Sequence, residues 1–165
     1  MGDLLQFAPF DFALIRFEWT GGGTDLDTRT KITTPNIGGA VGWSRLNKVG
    51  NFLTWGGDNT GDGEEGILID FKSLSEAYPE NEVLSVQLSA FWYAALDTGD
   101  FNLIFETYEG GTMEPANYSF VNVGGALVQR KTLGRNSQTH ISADIDGDKV
   151  GQITYTPATR RAAFV

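Results

Sequence analysis

The sequence predicts an all-β protein, an antiparallel β-sandwich with one short helix. Three observations predict it. Apolar and polar residues alternate with a period of two over several stretches. Clusters of Gly, Asn, Asp and Pro interrupt the chain at intervals of about ten residues, the spacing of a sandwich or barrel. Only one segment carries helix signals.

The elements follow in order. FALIRFEW (12–19) turns Ala13, Ile15, Phe17 and Trp19 inward and Arg16 and Glu18 outward. Strands are expected at 28–34, 40–44 and 49–55. EGILIDF (65–71) alternates less strictly and reads as a more deeply buried strand. FKSLSEAYPE (71–80) is the helix, with Ser73 as cap, Glu76 three residues on as in a capping box, and Pro79 as the stop. EVLSVQLSAFWYA (82–94) is the clearest half-buried strand. Leu84, Val86, Leu88, Ala90 and Trp92 share one face, and Ser85, Gln87 and Ser89 the other. DFNLIFETYE (100–109) aligns Phe101, Leu103 and Phe105. Further strands are expected at 117–123, 126–130, 139–145, 149–155 and 160–165. The last 25 residues read as two hairpins, turning at Asp146-Gly147 and at TPAT (156–159), where Pro157 fixes φ.

A length of 165 residues fits one domain, and 41% hydrophobic residues, with 11 Phe, 5 Tyr and 4 Trp, suffice for a sizeable core. The net charge of −9 repels phosphates and anionic lipid, so neither nucleic acid nor a membrane is an expected partner. The absence of cysteine excludes disulfides, zinc thiolates and cysteine nucleophiles. MGDLLQFAPFDFALIRFEW has no basic start and carries Asp3, Asp11 and Pro9, so no signal peptide is read there. No apolar run reaches membrane-spanning length. The expected setting is a virion or the cytoplasm.

One stretch needs a chemical explanation. WGGDNTGDGEEGILIDF (55–71) packs Asp58, Asp62, Glu64 and Glu65 among five glycines, just before an apolar strand. Carboxylates crowded in one loop repel unless they splay into water or share a cation. Calcium takes six to eight oxygens in flexible geometry, and Asn59 and Thr60 add neutral ones. Magnesium keeps its waters, and transition metals prefer imidazole or thiolate. TDLDT (24–28) adds a second acidic pair. Asp25 and Asp27 share a strand face while Leu26 points to the core, so the pair could complete a site built mainly by the 58–65 loop. The alternative for both segments is a solvated turn or strand edge, since Asp, Asn and Gly are common turn residues.

These segments together resemble the TerD-type tellurium-resistance and stress-protein family. The resemblance lies in Asp25-Leu26-Asp27, in GDNTGDGEE (57–65), and in the apolar strand and short K-x-L helix from Ile67 to Leu74. It implies a β-sandwich that binds Ca2+ through Asp25, Asp27, Asp58, Asn59, Asp62, Glu64 and Glu65. It covers about residues 12–95, which makes 12–125 the TerD-like body and 126–165 a set of C-terminal hairpins. The family's later NFG and AFIR segments have no counterpart, and DFNLIFETYEGG (100–111) stands there instead.

Other candidates read as structural. DIDGDK (144–149) begins like an EF-hand loop, yet Lys149 stands at the glycine position and Tyr155 at the final glutamate, so a hairpin turn is preferred. His140, the only histidine, is expected on a strand surface. Glu106 and Glu109 are expected to face solvent rather than form a glycosidase pair. Trp19, Trp43, Trp55, Trp92, Tyr93 and Tyr108 could offer a sugar-stacking platform, but core packing is their usual fate. The apolar stretches LLQFAPF and RRAAFV are expected to be tied down, for example by a neighbouring subunit. The expected function is a non-enzymatic, calcium-binding structural module of a larger assembly: a bacteriophage capsid decoration, fibre or tail accessory. Its partners would be protein subunits or further copies of itself. The alternatives are a cytoplasmic TerD-like stress protein and a carbohydrate-binding module.

Overall fold

The computed structural model describes residues 4–19, 25–60, 63–92, 99–137 and 148–165. The strands are β1 (Leu5–Phe7), β2 (Phe12–Trp19), β3 (Leu26–Thr34), β4 (Val41–Gly42), β5 (Lys48–Val49), β6 (Leu53–Trp55) and β7 (Gly63–Asp70). After helix α1 (Phe71–Ala77) come β8 (Leu84–Trp92), β9 (Gly99–Glu109), β10 (Thr112–Ala116), β11 (Ser119–Val123), β12 (Ala126–Ser137), β13 (Asp148–Thr156) and β14 (Arg161–Phe164). Among the described residues they form two six-stranded antiparallel sheets, ordered β1-β14-β13-β8-β3-β4 and β12-β9-β2-β7-β6-β5. The β10–β11 hairpin belongs to neither. No helix among these residues is long and apolar enough to cross a membrane.

The period-two residues form the core between the sheets. Ala13, Ile15, Phe17 and Trp19 of β2 are buried, as are Leu84, Val86, Leu88, Ala90 and Trp92 of β8. Burying an aliphatic or aromatic side chain of this kind contributes about 1.5–3 kcal/mol. Phe71 of α1 stacks on Tyr155 of β13, with ring centroids 4.5 Å apart and planes 6° from parallel. Phe10 meets both rings edge-on, and the Tyr155 hydroxyl donates to the Phe10 carbonyl at 2.8 Å.

The helix cap differs from the sequence expectation. Asp70, not Ser73, is the N-cap: its Oδ1 accepts the Ser73 backbone N–H at 2.9 Å and its Oδ2 accepts the Ser73 hydroxyl at 2.7 Å. The Asp70 side chain, at the end of β7, reaches the first turn's free N–H groups, whereas Ser73 already lies inside the helix. The expected 49–55 strand is two short strands parted by a turn at 50–52. The expected 117–123 strand opens in a tight turn, with Asn117 and Tyr118 at φ 48° and 60°.

Residues 126–165 contribute to both sheets. β12 runs along β9 as an edge, and β13 lies inside the other sheet between β14 and β8. The TPAT turn joins β13 to β14, with the Thr156 carbonyl accepting from Thr159 and Arg160. The 139–145 strand, the Asp146-Gly147 turn, Asp144 and His140 lie outside the described residues.

Candidate metal centre

Three elements deliver the acidic residues to one place. β3 begins at Leu26, which turns into the core and is fully buried. Strand alternation puts Asp25 and Asp27, on either side of it, on a common face. In β7, Glu65 has the same parity as the buried Ile67 and Ile69, so it points inward, while Glu64 points outward. The loop between β6 and β7 carries Asp58. Gly63 closes that loop at φ +146°, where a Cβ would meet the Asn59 amide nitrogen at 2.6 Å.

Asp25, Asp27, Asp58 and Glu65 each bring one carboxylate oxygen within 4.8 Å of the others. Asp27 is 1% exposed and Glu65 is fully buried; Asp25 is nearly so and Asp58 is half-buried. Glu65 is held by three donors. Its Oε1 accepts from the Thr28 hydroxyl at 3.2 Å and the Trp55 indole N–H at 3.1 Å, and its Oε2 accepts the Asn59 backbone N–H at 3.1 Å. Asp27 is different. Both its oxygens are buried without a hydrogen-bond partner among the described residues, and so is Asp58 Oδ1. Arg29 lies two residues along the same strand, but its guanidinium stacks over the Phe91 ring, 4.9 Å from the centroid.

The electrostatics follow. A pair of carboxylates at this separation repel by about 3.5 kcal/mol at an effective dielectric near 20. Burial first, then the charges of Asp25 and Asp58, push Asp27 up to about 7, with Arg29 opposing. Burial pushes Glu65 well above the usual carboxylate range, with the Asn59 and Trp55 hydrogen bonds acting against it and Asp27 and Asp58 adding to the rise. Asp58 is raised by burial too. A bound cation would offset both the burial and the mutual repulsion that raise these groups. Their donors are all oxygens, which suits a hard cation.

Of the seven ligands the sequence suggests, four meet. Asn59 braces the site: its backbone N–H serves Glu65 and its side-chain amide donates to the Glu64 carbonyl at 3.2 Å. Glu64 lies on the opposite face of β7 and accepts from Arg16 Nη1 at 2.9 Å. Asp62 lies outside the described residues. Thr28 and the indole of Trp55, which hold Glu65, are absent from the ligands the sequence suggests. The signal for Thr28 was its polar side chain at an inward strand position beside two aspartates.

The other candidates find ordinary partners. Glu106 is bound by Arg16 and Arg130, and Glu109 by Arg160. Trp19 and Trp92 are core residues and Trp43 and Trp55 are half-buried; Tyr93 lies outside the described residues. No protein-family model matches this chain, and neither a curated protein nor a solved structure shows detectable similarity to it.

Proposed function

We propose that this chain is a non-enzymatic structural module, pinned by a calcium ion held between Asp25, Asp27, Asp58 and Glu65, and that it serves as a subunit of a larger assembly. One observation carries the cation reading: Asp27 is 1% exposed, in a group of four carboxylates, and neither of its oxygens has a hydrogen-bond partner among the described residues. Buried polar atoms are almost always satisfied, and an ionised one left bare is costly. A divalent cation satisfies all four groups together. Calcium is favoured over magnesium because four carboxylates from three elements offer oxygens in a flexible arrangement. Titration calorimetry with calcium and with magnesium tests this. Calcium is expected to bind more tightly, and Asp58→Ala to weaken it. Heat-silent titrations with both ions would end the reading.

An assembly role, with a phage particle as the setting we infer, is supported by apolar side chains left in view. Val121 and Val123 on one face of β11 are half-exposed, as is Tyr118 at the adjoining turn. Native mass spectrometry at micromolar concentration is expected to find multimers. A TerD-type stress protein is the second reading. The observation in its favour is that two of the three segments carrying that resemblance supply all four clustered carboxylates. Tellurium-resistance genes beside the coding sequence would favour it, and virion genes the first.

A further inference from the structure

We propose that the cation cluster also governs whether the β10–β11 hairpin stays docked on the outer face of the β2–β7–β9 sheet. The inference rests on the cation reading above. The hairpin pairs with neither six-stranded sheet, and an isolated two-stranded hairpin is marginal in water. Its order must come from where it sits, and it sits on the backbone of the cation site.

The contact is made at the turn. The Gly66 N–H donates to the Tyr118 carbonyl at 2.7 Å, and the Gly66 carbonyl accepts from the Gly56 N–H at 2.8 Å. Gly66 directly follows Glu65. Gly56 follows Trp55, which donates to Glu65, and precedes Asp58 by two residues. Both glycines are required sterically. A Cβ on Gly66 would lie 2.4 Å from Ser119 Oγ and 2.8 Å from Ser119 Cα, and one on Gly56 would lie 2.3 Å from the Tyr118 carbonyl oxygen. The hairpin tip thus rests on two bare backbone segments, each continuous with a cluster carboxylate. The docked hairpin buries Phe120, which lines a cleft with Arg16, Glu64, Glu106 and Tyr108. The Ser119 hydroxyl is buried there without a partner among the described residues, so the seat is not tightly bonded.

The coupling is mechanical. A bound cation draws Asp58 and Glu65 to a common centre and holds the loop against β7, which keeps Gly56 and Gly66 bonded beneath the turn. Without the cation, Asp58 and Glu65 lose their common partner, the Asp58 loop is held less firmly against β7, and that seat loosens. Coupling of this kind is reciprocal: whatever factor the cation adds to docking, docking adds to cation affinity.

Hydrogen–deuterium exchange on the full chain, with calcium or in chelator, tests the proposal. Amides of residues 112–123 are expected to exchange about tenfold faster in chelator, a factor within the usual range of such couplings, while β8 and β9 change much less. Calorimetry on the same samples separates two failures. Absence of calcium binding overturns the cation reading and this inference with it. Binding without selective protection of the hairpin overturns the coupling alone. Gly66→Ala supplies a second reading: the hairpin is expected to exchange fast in both conditions, with calcium still bound at an affinity lowered by the same factor. Unchanged affinity beside an unseated hairpin would also overturn the coupling.

Discussion

Glu64 and Glu65 are neighbours in β7 and meet opposite electrostatic surroundings. On the outer face, Glu64 accepts from Arg16 at 2.9 Å, and Arg16 reaches Glu106 at 3.3 Å. Glu106 also accepts from Arg130 at 3.2 Å and from the Tyr108 hydroxyl at 3.3 Å. Burial works against the Arg16 charge, and the Glu64 hydrogen bond with the charges of Glu106, Glu64 and Glu18 outweighs it, so the Arg16 pKa is raised. On the inner face, Glu65 joins three aspartates; Arg29, whose charge opposes the rise at Asp27, also stacks on Phe91. The outer carboxylates are paired with arginine side chains, whereas the inner group gathers four carboxylates and leaves both Asp27 oxygens without a hydrogen-bond partner among the described residues, where burial makes a bare charge most costly. The second arrangement makes sense when the counter-charge comes from solution.

The largest test of that contrast uses pH. In metal-free buffer, Asp27 loses its proton near 3.8 when unfolded and at about 7 when folded. The unfolded chain therefore binds fewer protons between those values, and stability falls as pH rises from about 4 to about 7, levelling above. The slope is at most about 1.36 kcal/mol per pH unit for a single proton. The charges of Asp25 and Asp58 add to this rise, that of Arg29 opposes it, and Glu65 lies beside them. The clean observable is the difference between wild type and Asp27→Asn in denaturant titrations across this range. Asp27→Asn is expected to be the more stable protein at pH 8 without metal. Curves that stay parallel would show that the inner face is already compensated.

Removing the cation comes next. At a hundred times its dissociation constant, calcium stabilises by about 2.7 kcal/mol, which for a chain of this size is about 5–10 °C in melting temperature. Chelator is expected to abolish that gain and Asp58→Ala to shrink it. Equal melting curves with and without chelator would contradict it.

The outer face is expected to yield less. Glu106 serves two arginines and a tyrosine, and its side chain is 15% exposed. Glu106→Gln is expected to cost about 1–2 kcal/mol, as for charge-assisted hydrogen bonds partly open to water. Its calcium-dependent melting shift should equal that of wild type. A variant that loses the shift would mean that the two faces are one network.

Much of this contrast was legible in the residues. Alternation with period two placed Ala13, Ile15 and Phe17 inward and joined Asp25 to Asp27. The same parity, counted back from Ile67 and Ile69, separates Glu65 from Glu64; treating the acidic run as one loop hid it. Other features left no such trace. β12 extends to Ser137 rather than residue 130 because it is an edge strand, half polar on both faces, held by backbone pairing to β9 rather than by an apolar pattern. The β10–β11 hairpin was obscured by Pro115 and by a turn of Asn117 and Tyr118 that lacks the usual glycine. The convergence of 25–27 with 58–65, suggested by the two acidic segments and their family resemblance, depends on β3 and β7 lying in opposite sheets, a topology that spacing along the chain does not encode.

The smallest expected effect is the most discriminating, because it compares two residues that differ by one position. Glu64→Gln removes one charge from a partly exposed ion pair with Arg16, which still has Glu106. Such pairs contribute below about 1 kcal/mol, and calcium affinity should be unchanged, since the Glu64 side chain lies on the far side of β7. Glu65→Gln keeps the shape and can still accept from Thr28 and Trp55, but it removes one of the four charges around the cation. Its amide nitrogen cannot accept the Asn59 N–H as Oε2 does, so the metal-free protein loses that bond, and calcium affinity should fall sharply. The pair is measured by calorimetry at pH 7.5, where wild type sets the reference. If Glu64→Gln lowered affinity as much as Glu65→Gln, the acidic run would act as one diffuse field around the ion, and the division of β7 into a paired face and an ion-seeking face would be wrong.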